Sequence, residues 1–199
     1  DRGCALLGLG RERAALSDFS EAIRLFPTFS APYGNIGFIY IKFKQYDHAE
    51  KFLRLAISYE PTSAFFHSNL GMTFRFLGRF EEALNCYLHA ASLNPSDPEP
   101  LYGQGVVLNL IGNIKGAIES YSRAISIDPY HKMSLNNLGG VLAKARRYQE
   151  ALHVFRKLAS LDEKFPEIFS QIGNVLSLLG DSEGAQTSYL KASEFETKS

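Results

Sequence analysis

Small and large apolar residues recur along the 199-residue chain at a fixed interval of 34. Gly3, Gly37, Gly71, Gly105, Gly139 and Gly173 form one column, and Ala15, Ala49, Ala83, Ala117, Ala151 and Ala185 a second. A third runs Ala22, Ala56, Ala90, Ala124 and Ala192, interrupted by Leu158. A large residue keeps the same beat at Phe19, Leu53, Tyr87, Tyr121, Phe155 and Tyr189. Small residues let two backbones approach and a large side chain fills the space beside them. The columns therefore predict one helix–helix contact copied six times. Pro27, Pro61, Pro95 and Pro129 share the interval and mark helix ends, because proline lacks an N–H and crowds the preceding turn. Each unit reads as two helices and a tight turn; in the unit 30–63 the helices are expected at about 31–43 and 46–59.

Glycine marks the turn inside a pair at Gly10, Gly78, Gly112 and Gly180. Lys44 and Arg146 occupy that slot in the other two units, where the turn must be strained or closed differently. Pro32, Pro98 and Pro166 open first helices, where a missing N–H costs nothing. The fifth unit departs twice, with Glu163 in the proline slot and Leu158 in a small-residue slot. The least regular junction, perceptible as a bend, is expected around 158–165.

These columns resemble the tetratricopeptide repeat (TPR), with its small Gly and Ala positions, its second-helix aromatic and its closing Pro. The cleanest copies are SNLGMTFRFLGRFEEALNCYLHAASLNPS from Ser68 and NNLGGVLAKARRYQEALHVFRKLASLDEK from Asn136. The resemblance spans the chain and implies an all-α fold, a right-handed α-solenoid of stacked antiparallel helix pairs. Its repeats would be 30–63, 64–97, 98–131, 132–165 and 166–199, after a partial one at 1–29. The chain starts inside a helix without Met and shows no polar capping helix after Tyr189, so a segment of a longer protein is expected.

Charge narrows the range of partners. With 21 basic and 21 acidic residues the formal charge is zero, which offers no footprint for nucleic acid or an anionic membrane. No apolar run approaches the roughly 18 residues of a membrane span. Cys4 and Cys86 lie too far apart in a helical stack to be bridged and read as reduced, buried, small hydrophobes. Asn94-Pro95-Ser96 is no glycosylation acceptor, because proline stands in the middle. Both points lean towards an intracellular, cytoplasmic protein.

Each first helix has two faces. In the second repeat Tyr33, Ile36, Gly37 and Tyr40 form the packing stripe, while Ala31, Gly34, Asn35, Phe38 and Lys42 lie opposite. A simple amphipathic helix would carry a polar opposite face. Here that face is mixed. By the resemblance it lines the concave groove where peptides bind, apolar through Phe38, Phe65, Met72, Phe76, Tyr102, Val106 and Leu110. Lys42, Arg75 and Lys144 add scattered positive charge, and Asn109 a further contact. A competing reading makes part of this face inter-repeat core. The column Asn35, Asn69, Gly103, Asn137 and Gln171 resembles the amide ladder of O-linked N-acetylglucosamine transferases. There Asn35, Asn69 and Asn137 would clamp a peptide backbone; helix-to-helix ties are the competing role.

The carboxylate clamp of TPR domains that grip chaperone tails is not matched. The column Gly34, Ser68, Tyr102, Asn136 and Ser170 holds no Lys. The five histidines occupy different columns with no i, i+4 pair, and His67 sits where an aromatic is usual, so packing is its expected role. Gly103-Gln104-Gly105 lacks the third glycine of a dinucleotide loop. The expected function is a protein–protein interaction scaffold or adaptor holding a peptide or helix. No enzyme activity, cofactor, metal, nucleic acid, membrane insertion or small-molecule substrate is expected of this segment. The alternatives are the substrate-recognition arm of a glycosyltransferase-like enzyme, or a structural spacer.

Overall fold

A computed structural model describes residues 2–161 and 166–196. Among the described residues twelve helices and no strand make an all-α protein. They fall into two compact units. The first unit, Asp1–Ser96, holds α1 (Arg2–Gly8), α2 (Glu12–Leu25), α3 (Ser30–Lys42), α4 (Tyr46–Tyr59), α5 (Ala64–Phe76) and α6 (Phe80–Leu93). The second, Asp97–Ser199, holds α7 (Glu99–Leu110), α8 (Ile114–Ile127), α9 (Lys132–Lys144), α10 (Tyr148–Leu161), α11 (Pro166–Leu178) and α12 (Ser182–Glu196). Within each unit every odd-numbered helix packs on the next even one, and each even helix packs in turn on the following odd one. The predicted helices of the second repeat are α3 and α4, within one residue at each end.

The glycine and large-residue columns meet one to one. A Cβ built at Gly3 would stand 2.6 Å from the ring of Phe19, at Gly105 2.6 Å from Tyr121 and at Gly139 2.3 Å from Phe155. Gly37 meets Leu53, Gly71 Tyr87 and Gly173 Tyr189 in the same way. Phe19, Leu53, Tyr87, Tyr121 and Phe155 are buried, as are Ala15, Ala49, Ala83, Ala117 and Ala151 on the same second helices. Tyr189, in the last described pair, is 40% exposed. Leu158 is also buried and joins the second unit's core with Ile168 and Ile172. Glu163 and the rest of the 162–165 junction lie outside the described residues.

All six intra-pair turns close alike. The N–H groups of Arg11, Gln45, Arg79, Asn113, Arg147 and Asp181 reach back to the carbonyls of Leu6, Tyr40, Phe74, Leu108, Leu142 and Leu176 at 2.8–3.0 Å. This is the bond that closes a left-handed helix terminus. Gly10, Gly78, Gly112 and Gly180 supply the positive φ it requires, and Lys44 and Arg146 adopt it at φ 58° and 59°. Those two turns are therefore strained rather than closed differently. One expectation is corrected: Cys4 is exposed, with the Asn35 amide 3.7 Å from its Sγ. Cys86 is half-buried, and burial pushes its thiol up to about 11.

Two adjacent glycines should respond oppositely to alanine. Gly139→Ala must displace the buried Phe155 ring and should cost about 1–3 kcal/mol. Gly140 has nothing within 4 Å of its Cβ position, so Gly140→Ala should add about 0.5–1 kcal/mol through helix propensity. Urea titration of both variants checks the pair; the same sign for both would refute the close-contact assignment. Lys44→Gly relieves a left-handed backbone costing about 1–2 kcal/mol but loosens the unfolded chain, so its melting temperature should stay level or rise. A clear fall would show that the turn is unstrained.

Candidate functional site

In the first unit the mixed face of the first helices is built from α3 and α5. Phe38 and Phe65 approach with ring centroids 6.4 Å apart, and Phe65 remains 49% exposed. Met72 is half-buried on the same face. Phe76 stacks on Tyr46 at 4.9 Å, and the Arg75 guanidinium lies 4.3 Å over the Phe76 ring. Arg75 Nε is buried without a hydrogen-bond partner. Lys42 is not a free cation: its ammonium lies 2.5 Å from Glu12 and, by donating to that carboxylate, holds it below the usual range. Asn69 is buried and donates to the Phe65 carbonyl of its own helix at 2.9 Å. Asn35 is half-buried and points its amide at Cys4.

In the second unit α7, α9 and α11 enclose a cavity of about 300 Å³, whose walls are rich in amides. Asn109, Asn136, Asn137, Gln171 and Asn174 line it together with Lys144. Gly140 keeps its floor low, since no atom stands within 4 Å of a Cβ there. Asn137 Nδ2 donates to the Tyr121 hydroxyl at 3.4 Å, and the Tyr189 hydroxyl donates to Asn174 Oδ1 at 2.8 Å. Asn109 Oδ1 and Asn136 Oδ1 are buried with no partner. Unpaired buried acceptors are costly, which sets these two oxygens apart from the other amides of the wall. The remaining anticipated contacts lie around this cavity rather than in it. Val106 and Tyr102 are half-buried against the core, Tyr102 beside Tyr121 and His131, and Leu110 is exposed.

Three family models, each describing a tetratricopeptide repeat, match residues 31–63, 68–132 and 133–161. The chain belongs to the tetratricopeptide repeat family. No curated protein matches it in sequence. Among solved structures it resembles PilF of Pseudomonas aeruginosa (TM-score 0.84, 17% identity, 99% of this chain and 94% of that one). It also resembles MamA (TM-score 0.75, 22% identity, 82% and 95%). YrrB, described as a TPR protein with an unusual peptide-binding site, aligns with TM-score 0.71 and 20% identity over 90% and 92%. Likenesses at these identities show the fold.

Sequence reasoning did not single out Asn136, Gln171 and Asn174 as a cluster with Asn109. They stand in three different columns of the TPR beat, so only the packing of α7, α9 and α11 brings them together. It also missed a clasp at the repeat boundary. The Tyr33 hydroxyl donates to the Pro27 carbonyl at 2.8 Å, and His67, one repeat later, holds the Pro61 carbonyl through Nε2 at 2.8 Å. A carbonyl only accepts, so Nε2 carries the proton. His67 thus does more than pack. Among the described residues no cluster of three or more His, Cys, Asp or Glu could hold a metal. None of the described helices is long and apolar enough to cross a membrane.

Burial holds His67 below its ordinary pKa; the Pro61 carbonyl opposes this and His89, edge-on at 4.4 Å, adds to it. The folded state therefore favours the neutral ring. This stabilisation is present above the unfolded value near 6.5 and is lost as pH falls through the folded one. Wild type should lose stability between about pH 7 and pH 5. His67→Tyr, which can copy the Tyr33 bond, should lose less over that window. Urea midpoints at both pH values check this, and equal losses would remove His67 as the cause.

Proposed function

We propose that the chain is a protein-interaction scaffold that holds an extended peptide along its first-helix face, in the concave groove of the TPR type. The amide-lined cavity of the second unit grips the peptide backbone. The observation that carries this reading is the pair of buried, unpartnered oxygens, Asn109 Oδ1 and Asn136 Oδ1, at a cavity that also offers the Lys144 ammonium. A peptide backbone alternates N–H donors with carbonyl acceptors, and only a mixed wall of amides satisfies both without reading side chains. In the first unit Phe38, Phe65, Met72 and Phe76 offer apolar contact for side chains, with Arg75 as a cation beside them. Asn35 and Asn137 keep the clamp role; Asn69 enters it only by releasing the Phe65 carbonyl. Rigid stacked helices lose little entropy on binding, which favours a preformed surface. The peptide-binding site reported for YrrB supports the reading at the level of a shared fold. We read the segment as a binding surface rather than an enzyme.

The test is selection of a displayed random peptide library on the chain, followed by titration of the recovered peptides by fluorescence anisotropy. Asn109→Ala with Asn136→Ala should weaken binding roughly 10-fold or more, about one or two hydrogen bonds. Gly140→Leu, which fills the floor, should abolish it. Recovered peptides bound equally well by all variants would overturn this assignment of the site.

A further inference from the structure

Away from the amide cavity, α8, α9 and α10 of the second unit enclose a slot of about 330 Å³. Leu138 and Leu142 are buried at its floor, and Ile118 and Val154 form its walls. Two repeats earlier the same register is occupied from within. There Arg79 lies 4.2 Å over the Phe74 ring and is held at 2.7 Å by both Glu50 and Glu82. Arg54, paired with Glu50, sits 5.7 Å from the same ring. One repeat before that, Tyr40 stacks between His48 and Phe52 at 5.2 and 5.5 Å. The open slot has lost these devices. Ile118 replaces Glu50, Ser122 replaces Arg54 and Leu142 replaces Phe74, so Arg147 keeps only its partner Glu150 and has no ring to cover. One repeat later the slot is open again, at about 550 Å³, but it is lined by Arg156, Asp181, Glu183 and Lys191.

The same chain carries a matching knob. Phe26 and Phe29 bracket Pro27 in the turn between α2 and α3 and are 64% and 50% exposed. The next three turns have Glu60, Asn94 and Asp128 at the first position and Ser63, Asp97 and His131 at the second. Phe29 is moreover the N-cap of α3, where its side chain offers no acceptor, whereas His131 at the same position of α9 accepts from the Ser134 N–H. Two exposed rings at positions that favour polar residues match a slot with an apolar floor, whose rim carries His153 and the paired Arg147 and Glu150, the Arg147 guanidinium lacking the ring that Phe74 gives Arg79. A zero net charge sets no repulsion between copies.

We propose that this chain self-associates, the Phe26–Phe29 turn of one copy inserting into the Leu138–Leu142 slot of a second. Knob and slot are different surfaces, so the contact is heterologous and adds copies into a ring or an open chain according to the rotation between them. It is small, and its affinity belongs to the weak class. It uses none of the residues assigned to peptide binding, so either reading can fail alone.

The test is sedimentation velocity on the whole chain from about 10 µM to about 1 mM, the range in which weak contacts assemble. Wild type should show a mass that grows with concentration. Phe26→Ser with Phe29→Ser removes the knob, and Ser122→Trp, at an exposed rim position, fills the slot. Each variant alone should stay monomeric with unchanged helical circular dichroism. Mixed, they should pair one to one and stop at dimers, because one knob and one slot remain. If Ser122→Trp perturbs folding, a Phe26→Cys copy mixed with a Ser122→Cys copy replaces it, and mass spectrometry should map a disulfide between those positions. A wild type monomeric throughout, a knobless variant that still assembles, or a mixture that does not pair would each overturn the proposal.

Discussion

Everything in this protein rests on a glycine of each first helix facing a large side chain of the second helix it pairs with. No side-chain atom fits at Gly3, Gly37, Gly105, Gly139 or Gly173 without displacing Phe19, Leu53, Tyr121, Phe155 or Tyr189. The gap left by the missing Cβ is filled by a ring or a leucine, so contact distance and packing density are set together. The buried alanines of the second helices extend that close approach along the pair. Because the lock is local to a pair, it can be copied without redesign, which is the physical basis of a repeat array.

The fold was legible because its determinants are one-dimensional. Helix ends, turn glycines and the lock all keep the 34-residue beat, and each is decided by residues close in sequence. The departures were readable in part: Lys44 and Arg146 stand where the turn must be strained or closed differently, and the structure takes the strained, positive-φ course. The binding face was much less legible. Asn69 and Asn137 share a column, yet the first is spent on its own helix while the second lines a cavity. Asn136 sits in a column that was used only to argue against a carboxylate clamp, and its buried oxygen is among the unpaired groups of the site. Whether an amide is satisfied depends on atoms from three helices, and periodicity carries no information about that.

Ion pairs show the same limit. Lys42 reads as a groove cation until Glu12, from the preceding helix pair, is found 2.5 Å away. Arg79, at the N-cap of α6, closes a slot over Phe74 with two carboxylates, a role that nothing in the repeat pattern signals. Exposed pairs of this kind contribute little to stability individually. Their larger effect here is steric, because a held guanidinium decides whether an apolar floor is covered.

The positions that vary along the array are thus the ones free to carry function. The columns of the lock cannot change without costing the contact, whereas a column facing outward can hold Glu50 in one repeat and Ile118 two repeats on. The same freedom puts aromatics on the first-helix face of one unit and amides on that of the other. Leu158 marks the boundary between the two kinds of position. It breaks a small-residue column, yet it is buried among Ile168 and Ile172, so the lock tolerates a change where neighbouring core residues can repack around it. Phe26 and Phe29 are the opposite case, large rings placed where no neighbour receives them. A rule-breaking residue that the fold absorbs reports on packing; one that the fold leaves exposed, in a chain that also carries an open slot with an apolar floor, points beyond the monomer.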